Sequence, residues 1–354
     1  MKRFIITGTS KAVNGSIDVS GAKNSCLPLM AASILFKKEV ILRNVPLVQD
    51  VLTMKDLLIA LGSKVKILEK KKIMIITNKK DHKLTVPYNL VSTMRAGVLT
   101  MGSLLGRYSQ KKIRVAQGGG CALGIRDTSW HLDGFKSLGA EHVLEKGYVK
   151  ISSKNGLIGK SYKFPKITVT GTSNLIMSSV FVRGSHVLKN ISLEPEVIDL
   201  IKFLNNSGAN IKFISKRSLR IKGVKELLSG NHKIIGDRIE AFSYLCVGAI
   251  TKGSIKMVNI NPKFLPSELK ILKKIGFKIS VSKNSIKLDT IKKLKPINVK
   301  TGPWPGFATD CLPILIPVLT RIYLVRRLKS SFLILFAEDQ MGAIRLESGV
   351  QEIR

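Results

Sequence analysis

Acidic side chains are scarce in this sequence: Asp and Glu number 23 against 59 Lys and Arg, a formal charge of +36 at pH 7. Such an imbalance suits nucleic acid, an anionic membrane surface or an anionic substrate. The lysines are spread in small clusters, such as Lys70-Lys71-Lys72 and Lys292-Lys293, with no RNP-like, zinc-finger or helix-turn-helix signature beside them. Lys, Ile and Asn are abundant together, as drift towards AT-rich codons would leave them. That drift is the preferred account of the charge, and no specific nucleic-acid partner is expected. Cysteine is also sparse. Cys26, Cys121, Cys246 and Cys311 lie far apart without a C-x-x-C pair, which argues against a disulfide framework or zinc site and suits a reducing cytoplasm. Neither metal nor cofactor is expected. Long apolar runs are missing too: Cys311 to Leu319 is too short to span a bilayer. Met1-Lys2-Arg3-Phe4-Ile5-Ile6 lacks the apolar core of a signal peptide and reads as a strand. No membrane partner is expected, and the chain is placed in the cytoplasm.

What is present is enough apolar material for a large core. The chain has 354 residues, 44% apolar and 23% charged, so two domains are expected more readily than one. A short pattern recurs in it. A helical segment, a glycine and an alternating strand appear at Leu61-Gly62-Ser63, Leu138-Gly139-Ala140, Ser207-Gly208-Ala209 and Ile275-Gly276-Phe277. The spacing is roughly seventy residues, a supersecondary period, and the glycines fit the left-handed position after a helix. Apolar strands ending in Asn44-Val45-Pro46, Asn190-Ile191-Ser192 and Asn259-Ile260-Asn261-Pro262 precede three of these glycines.

A second kind of helix is apolar on all sides. Polar residues stand before such runs: Lys23-Asn24-Ser25 before Cys26 to Leu35, Thr172-Ser173-Asn174 before Leu175 to Val182, and Thr309-Asp310 before Cys311 to Leu319. Asp237-Arg238-Ile239-Glu240 has capping-box spacing before Ala241 to Ile250, and a further helix covers about Leu90 to Leu105. Helices of this kind must be buried all round. The chain therefore reads as repeated strand-helix-strand-helix-strand units: three before about residue 235, a fourth from 236 to 297, and a partial fifth from Val299. After about Leu319 the pattern dissolves, and Tyr323 to Lys329 is neither a clean strand nor a clean helix.

The residues that could carry chemistry cluster at the starts of these apolar helices or in the loop before one. Lys23 and Asn24 stand at a helix N-terminus, an anion site in waiting, although an ordinary Asn cap beside a solvated lysine would look the same. Arg95 lies in the first turns of its helix, where a cation opposes the dipole. Cys121 is set among four glycines in Gln117-Gly118-Gly119-Gly120-Cys121-Ala122-Leu123-Gly124, with Arg126 and Asp127 following. A loop of that composition can deliver and withdraw a thiol. Lys166, Thr168 and Thr170 alternate along an extended segment that ends at a Thr172 cap. Asp310 either caps its helix or acts as a base placed by it. Lysines, arginines and helix N-termini gathered on one side, facing a cleft between domains, suggest a strongly anionic, phosphate-bearing substrate.

Six ordered motifs then match one family: Ser20-Gly21-Ala22-Lys23-Asn24, Thr93-Met94-Arg95-Ala96, Gly119-Gly120-Cys121-Ala122-Leu123-Gly124-Ile125-Arg126, Glu194-Pro195-Glu196, Asp237-Arg238-Ile239-Glu240 and Gly302-Pro303-Trp304-Pro305-Gly306-Phe307-Ala308-Thr309-Asp310. Over residues 1 to about 320 the chain resembles the enolpyruvyl transferases of the UDP-N-acetylglucosamine 1-carboxyvinyltransferase type, which serve peptidoglycan synthesis. The resemblance implies an α/β (α+β) fold, the inside-out α/β prism. Its first domain would be 21–235, with three repeats and the cysteine loop. Its second would be 1–20 plus 236–354, with a fourth repeat, a partial fifth and no sixth. The implied substrates are phosphoenolpyruvate and UDP-N-acetylglucosamine. Lys23, Asn24 and Arg126 match the phosphoenolpyruvate site, Cys121 the proton donor and covalent ligand, and Asp310 the base on the sugar hydroxyl. Arg95, Arg126, Asp127, Thr128, Ser129, Trp130, Lys166, Thr168, Val169, Thr170 and Asp310 match the nucleotide-sugar site.

The chain departs from the family in places. Asp127-Thr128-Ser129-Trp130 replace the usual Pro-Val-Asp-Leu, and Thr170 replaces a glycine. Phe336-Ala337-Glu338-Asp339-Gln340 is a broken echo of a motif that would carry an arginine. A frameshift or truncation near residue 320 is the simplest account of the tail. The competing readings are an inactive relative without the C-terminal arginines, the sister reaction on shikimate 3-phosphate, and a nucleic-acid binder.

Overall fold

The structure is a computed structural model that describes residues 11–79, 81–91, 94–116, 128–290, 294–327, 336–337 and 344–345, with backbone alone for Arg95, for 322–327 and for the last two pairs. The expected strand at Met1 to Ile6 lies outside the described residues. The chain divides into two compact units, Gly21–Ile235 and Met1–Ser20 with Gly236–Arg354.

In order, the elements begin with β1 (Gly15–Asp18), α1 (Lys23–Ala32, prolonged by a 3-10 turn to Leu35), β2 (Val40–Arg43), α2 (Gln49–Leu61), β3 (Lys64–Leu68) and β4 (Ile73–Thr77). Then come β5 (Thr85–Val86), α3 (Tyr88–Val91), α4 (Leu99–Tyr108), β6 (Ile113–Ala116), α5 (Ser129–Ser137), β7 (Glu141–Glu145) and β8 (Tyr148–Ser152). These are followed by β9 (Ser161–Lys163), α6 (Val169–Ser179), β10 (Ser185–Lys189), α7 (Pro195–Asn206), β11 (Asn210–Ser215), β12 (Ser218–Lys222) and β13 (Gly230–Lys233). The last group is α8 (Arg238–Thr251), β14 (Ser254–Val258), α9 (Pro266–Ile275), β15 (Lys278–Ser282), β16 (Ser285–Asp289), α10 (Leu312–Arg327), β17 (Phe336–Ala337) and β18 (Ile344–Arg345).

One sheet plan is used four times. A strand, an amphipathic helix and a β-hairpin fold into three antiparallel strands, and a fourth strand joins in parallel. The sheet orders are β13-β2-β4-β3, β5-β6-β8-β7, β9-β10-β12-β11 and β1-β14-β16-β15. In the second and third, the parallel strand comes from just upstream, across α4 or α6, as a crossover must. In the other two it comes from far along the chain: β13 pairs with β2 and β1 with β14. This exchange places the chain's two crossings between units at 20–21 and 235–236.

The repeat signals have local causes. Gly62, Gly139, Gly208 and Gly276 follow α2, α5, α7 and α9 with φ of 108°, 88°, 100° and 118°, the left-handed geometry that closes a helix. The asparagines recur because each is also left-handed, at φ 60°, 58° and 61° for Asn44, Asn190 and Asn259. Asn tolerates that region when its side chain bonds locally. Their Nδ2 groups donate to Ile234 O, Phe164 O and Val19 O at 3.0, 2.9 and 3.0 Å.

In the unit 21–235, α4 packs against both α1 and α6. The α4 and α6 helices run parallel: Gly102 faces Asn174, and one turn on Gly106 faces Met177 and Ser178. Gly106 also meets Leu35, and Arg107 donates to Ile34 O and Phe36 O, so the end of α1 adjoins the end of α4. The starts of α1, α4 and α6 therefore share one end of this unit. At the other end His82 is buried in a network. Its Nε2–H faces Asn78 Oδ1 at 3.2 Å and its Nδ1 accepts from Tyr108 Oη at 2.8 Å. Burial, with Arg107 nearby, lowers its pKa to about 4.

The unit 1–20 with 236–354 has its own core, built from residues such as Phe242, Leu245, Met257, Leu272, Phe307 and Leu315. Phe242 and Phe307 meet edge to face at 5.7 Å. Full burial of such side chains contributes about 1.5–3 kcal/mol each. Among the described residues no helix is long and apolar enough to cross a membrane.

Two expectations are corrected here. The helix from Leu90 to Leu105 is not continuous; α3 ends at Val91 and a 3-10 turn, Arg95–Val98, leads into α4. The stretch from Tyr323, expected to be neither a clean strand nor a clean helix, is helical as far as Arg327, the end of α10. Arg and Leu are good helix formers, which a search for amphipathic periodicity undervalues.

Candidate active site

α1 starts at Lys23 with Ala22 in the cap position and no side-chain cap. The first N–H groups of such a helix lack intrahelical acceptors and form the positive end of its dipole. The entry is set by Gly21. A Cβ there would lie 1.8 Å from Asn44 O, so only glycine lets the two backbones pass. Ala22 N–H then donates to Ile235 O at 2.7 Å. Asn24 is therefore not a cap; it is helical and exposed. Lys23 Nζ lies 3.0 Å from Asp50 Oδ2, in the first turn of α2. Both groups are partly exposed, so the pair orients the lysine more than it stabilises the fold. Beneath them Ser25 Oγ donates to the buried Asp199 Oδ2 at 2.5 Å, and Asp199 Oδ1 accepts from His232 Nε2 at 2.9 Å.

The segment Lys166–Thr170 is not the strand that its alternation suggests. Thr168 is the N-cap of α6, its Oγ1 accepting Gly171 N–H at 3.2 Å, and Val169 and Thr170 are already helical. Five alternating residues fit a helix entry as well as a strand, and the hydroxyl cap decides. Thr172, Ser173 and Asn174 lie inside the helix and are buried.

Asn174 organises this end. Its Nδ2 donates to Val98 O at 3.1 Å and to His131 Nδ1 at 2.8 Å, and its Oδ1 accepts Gly102 N–H at 3.0 Å. An amide nitrogen only donates, so His131 Nδ1 is an acceptor and the neutral ring carries its proton on Nε2. That nitrogen faces Thr170 Oγ1 at 3.3 Å. Thr128 precedes α5, which Ser129 and Trp130 open, and Trp130 O accepts from Tyr162 Oη at 3.1 Å. The structure thus brings Thr128, Ser129 and Trp130 alongside Lys166–Thr170. Arg95 opens the turn before α4, at the same end of the unit as Lys23 and Thr168. Cys121, Arg126 and Asp127 lie outside the described residues.

Asp310 belongs to the other unit. It is exposed, in the 3-10 turn Thr309–Cys311 ahead of α10, and no side chain caps that turn. The loop before it is closed by Gly302 N–H to Phe307 O at 2.9 Å and Gly306 N–H to Pro303 O at 2.8 Å. At the start of α8 the Asp cap is made but the capping box is not closed: Asp237 Oδ1 accepts Ile239 and Glu240 N–H at 2.8 and 3.1 Å, while Glu240 Oε2 accepts Ser20 N–H at 2.9 Å and Asp237 N–H donates to Ser20 O at 2.9 Å.

Sequence reasoning missed His131, Asn174 and Asp199, which organise the helix starts around the candidate residues. Their signal was faint: a polar residue embedded in an apolar helix, or an acid on an otherwise ordinary amphipathic one.

Residues 7–331 match the EPSP synthase (3-phosphoshikimate 1-carboxyvinyltransferase) family. A UDP-N-acetylglucosamine 1-carboxyvinyltransferase of Pelagibacter ubique (strain HTCC1062) is 43% identical over 310 residues, covering 88% of this chain and 73% of the relative. That of Hydrogenovibrio crunogenus is 39% identical over 315 residues, with the same coverage. Among solved structures, the enolpyruvyl transferase NikO from Streptomyces tendae superposes with a TM-score of 0.75 at 17% identity, over 87% of this chain and 73% of that one. EPSP synthase from Acinetobacter baumannii gives 0.65 at 17%, over 89% and 71%. These two show the fold, an α/β architecture of repeated strand-helix units, as the repeats imply. The chain belongs to the enolpyruvyl transferase family, among the UDP-N-acetylglucosamine 1-carboxyvinyltransferases.

Proposed function

We propose that this protein transfers the enolpyruvyl group of phosphoenolpyruvate to the 3′-hydroxyl of UDP-N-acetylglucosamine, releasing phosphate, as a cytoplasmic enzyme of peptidoglycan synthesis. The observation that carries this is the 43% identity over 88% of the chain to a relative named for that transfer. The site chemistry is consistent with it. Lys23 and the uncapped start of α1 bind the phosphate of phosphoenolpyruvate, beside Asn24 and Arg126. The 3′-hydroxyl adds to C2 of phosphoenolpyruvate while C3 gains a proton, and the tetrahedral adduct then expels phosphate. Cys121 gives the proton, because an ordinary thiol pKa allows both proton donation and thiolate formation near neutral pH. Asp310 takes the proton of the hydroxyl. Arg95, Arg126 and the stretches 127–130 and 166–170 hold the nucleotide sugar, with the Thr168–Thr170 helix entry offering N–H and hydroxyl groups to an anion.

Phosphate release with both substrates, repeated with Cys121→Ala, tests the reading. Release that needs both substrates and is abolished in Cys121→Ala supports it. Folded protein that releases none overturns it and leaves a homologue that keeps the fold without the turnover.

A further inference from the structure

We propose that Glu268 is a positioning residue for Asp310, holding the segment that carries it in place through the Ala308 backbone. This rests on the reading of Asp310 as the base on the sugar hydroxyl. Glu268 stands in the first turn of α9 and is 1% exposed. Its Oε1 accepts Ala308 N–H at 3.1 Å, two residues before Asp310 and at the cap position of the Asp310 turn. The neighbouring Ser267 Oγ donates to Pro305 O on the same loop. Two consecutive side chains of one helix thus hold both halves of the 302–308 loop. The loop can move little between those points. Phe307 is buried against Phe242, and Thr301 bridges Phe307.

The site is built for a carboxyl and not for a passing surface acid. Arg238 Nη1 lies 4.0 Å from Glu268 Oε1, with both side chains nearly buried. Burial raises the pKa of Glu268, with its own N–H, the Ala308 N–H and Arg238 opposing. A carboxyl shifted towards its neutral form still offers an oxygen to Ala308. The hydrogen bond therefore depends on the acceptor atom and not on full ionisation. Glutamine should replace it and leucine should not. Misplacing a reacting group by about 1 Å can cost about a hundredfold in rate, so a free Ala308 amide would appear in turnover and not in substrate binding.

The test uses the full-length chain with Glu268→Gln and Glu268→Leu. Amide exchange of the peptide spanning 306–312 is measured by mass spectrometry, and kcat and KM are measured by phosphate release. In Glu268→Leu the expected results are exchange about tenfold faster and kcat lower by about ten- to a hundredfold, with KM for both substrates within about threefold. Glu268→Gln should stay within about threefold of wild type in every quantity. A folded Leu variant with unchanged exchange or kcat would overturn the proposal, as would a Gln variant that loses as much as Leu. If Glu268→Leu does not fold, Glu268→Asp takes its place; it withdraws the oxygen while keeping the charge, and the same losses are expected. A wild type that releases no phosphate defeats the catalytic reading of Asp310, while the exchange measurement still decides whether Glu268 holds the segment.

Discussion

Replacing Gly102 by alanine should destabilise the protein although it improves a helix. Gly102 lies inside α4, where alanine is favoured over glycine by about 1 kcal/mol. Against that, the new Cβ would fall 2.4 Å from Asn174 O, 2.5 Å from its Oδ1 and 2.9 Å from its Cα. The O and Cα belong to the α6 backbone and cannot rotate away, so the two helices must part by about 1 Å to restore ordinary contact. Overpacking of a core costs about 1–3 kcal/mol. Parting the helices also weakens the Gly102 N–H to Asn174 Oδ1 bond, 3.0 Å long and buried, for about another 1 kcal/mol. The net loss is about 1–3 kcal/mol, which for a domain of this size lowers Tm by roughly 2–10 °C. Thermal unfolding followed by circular dichroism at neutral pH measures it. A Tm equal to or above wild type, the outcome that helix propensity alone dictates, would show that α4 and α6 are not packed as described.

Three further outcomes follow from the same structure. Asn190→Ala should cost about 2 kcal/mol, half from the left-handed backbone and half from the lost bond to Phe164 O, and Asn190→Gly should recover the first half; denaturant titrations that find the two variants equal would refute the conformational part. His82 is held neutral with a pKa of about 4 against an ordinary value of 6.5, so its contribution to stability is complete above pH 6.5 and is lost as pH falls through 4; stability measured from pH 7 to pH 4 should drop by up to about 3 kcal/mol more in wild type than in His82→Gln. Thr168→Val removes the α6 cap and should cost about 1 kcal/mol while Thr168→Ser costs almost nothing; an equal loss in both would place the effect in packing rather than in the hydroxyl.

Much of the fold was legible from local chemistry. The glycines after α2, α5, α7 and α9 and the asparagines after β2, β10 and β14 are required by backbone geometry at a single position, so the glycine marks all four repeats and the asparagine three of them. In the candidate site, two motif residues expected at helix starts stand there, Lys23 at the first position of α1 and Asp310 in the turn ahead of α10. The sequence was misread where a few residues fit two structures. Lys166–Thr170 alternates like a strand, and Leu90–Leu105 reads as one helix although it is interrupted after Val91.

The sequence by itself determined the repeat, the division of helices into buried and amphipathic kinds, and the family, because each depends on residue type at fixed spacing. Only the tertiary structure decided which strand completes which sheet. Pairing β13 with β2 and β1 with β14 joins residues about 190 and 240 apart, and no local propensity encodes such a partner. It likewise decided that Asn174 reaches His131 and that Glu268 reaches Ala308. A buried polar group must find its partner wherever the fold puts one, and the sequence shows the group without showing the partner.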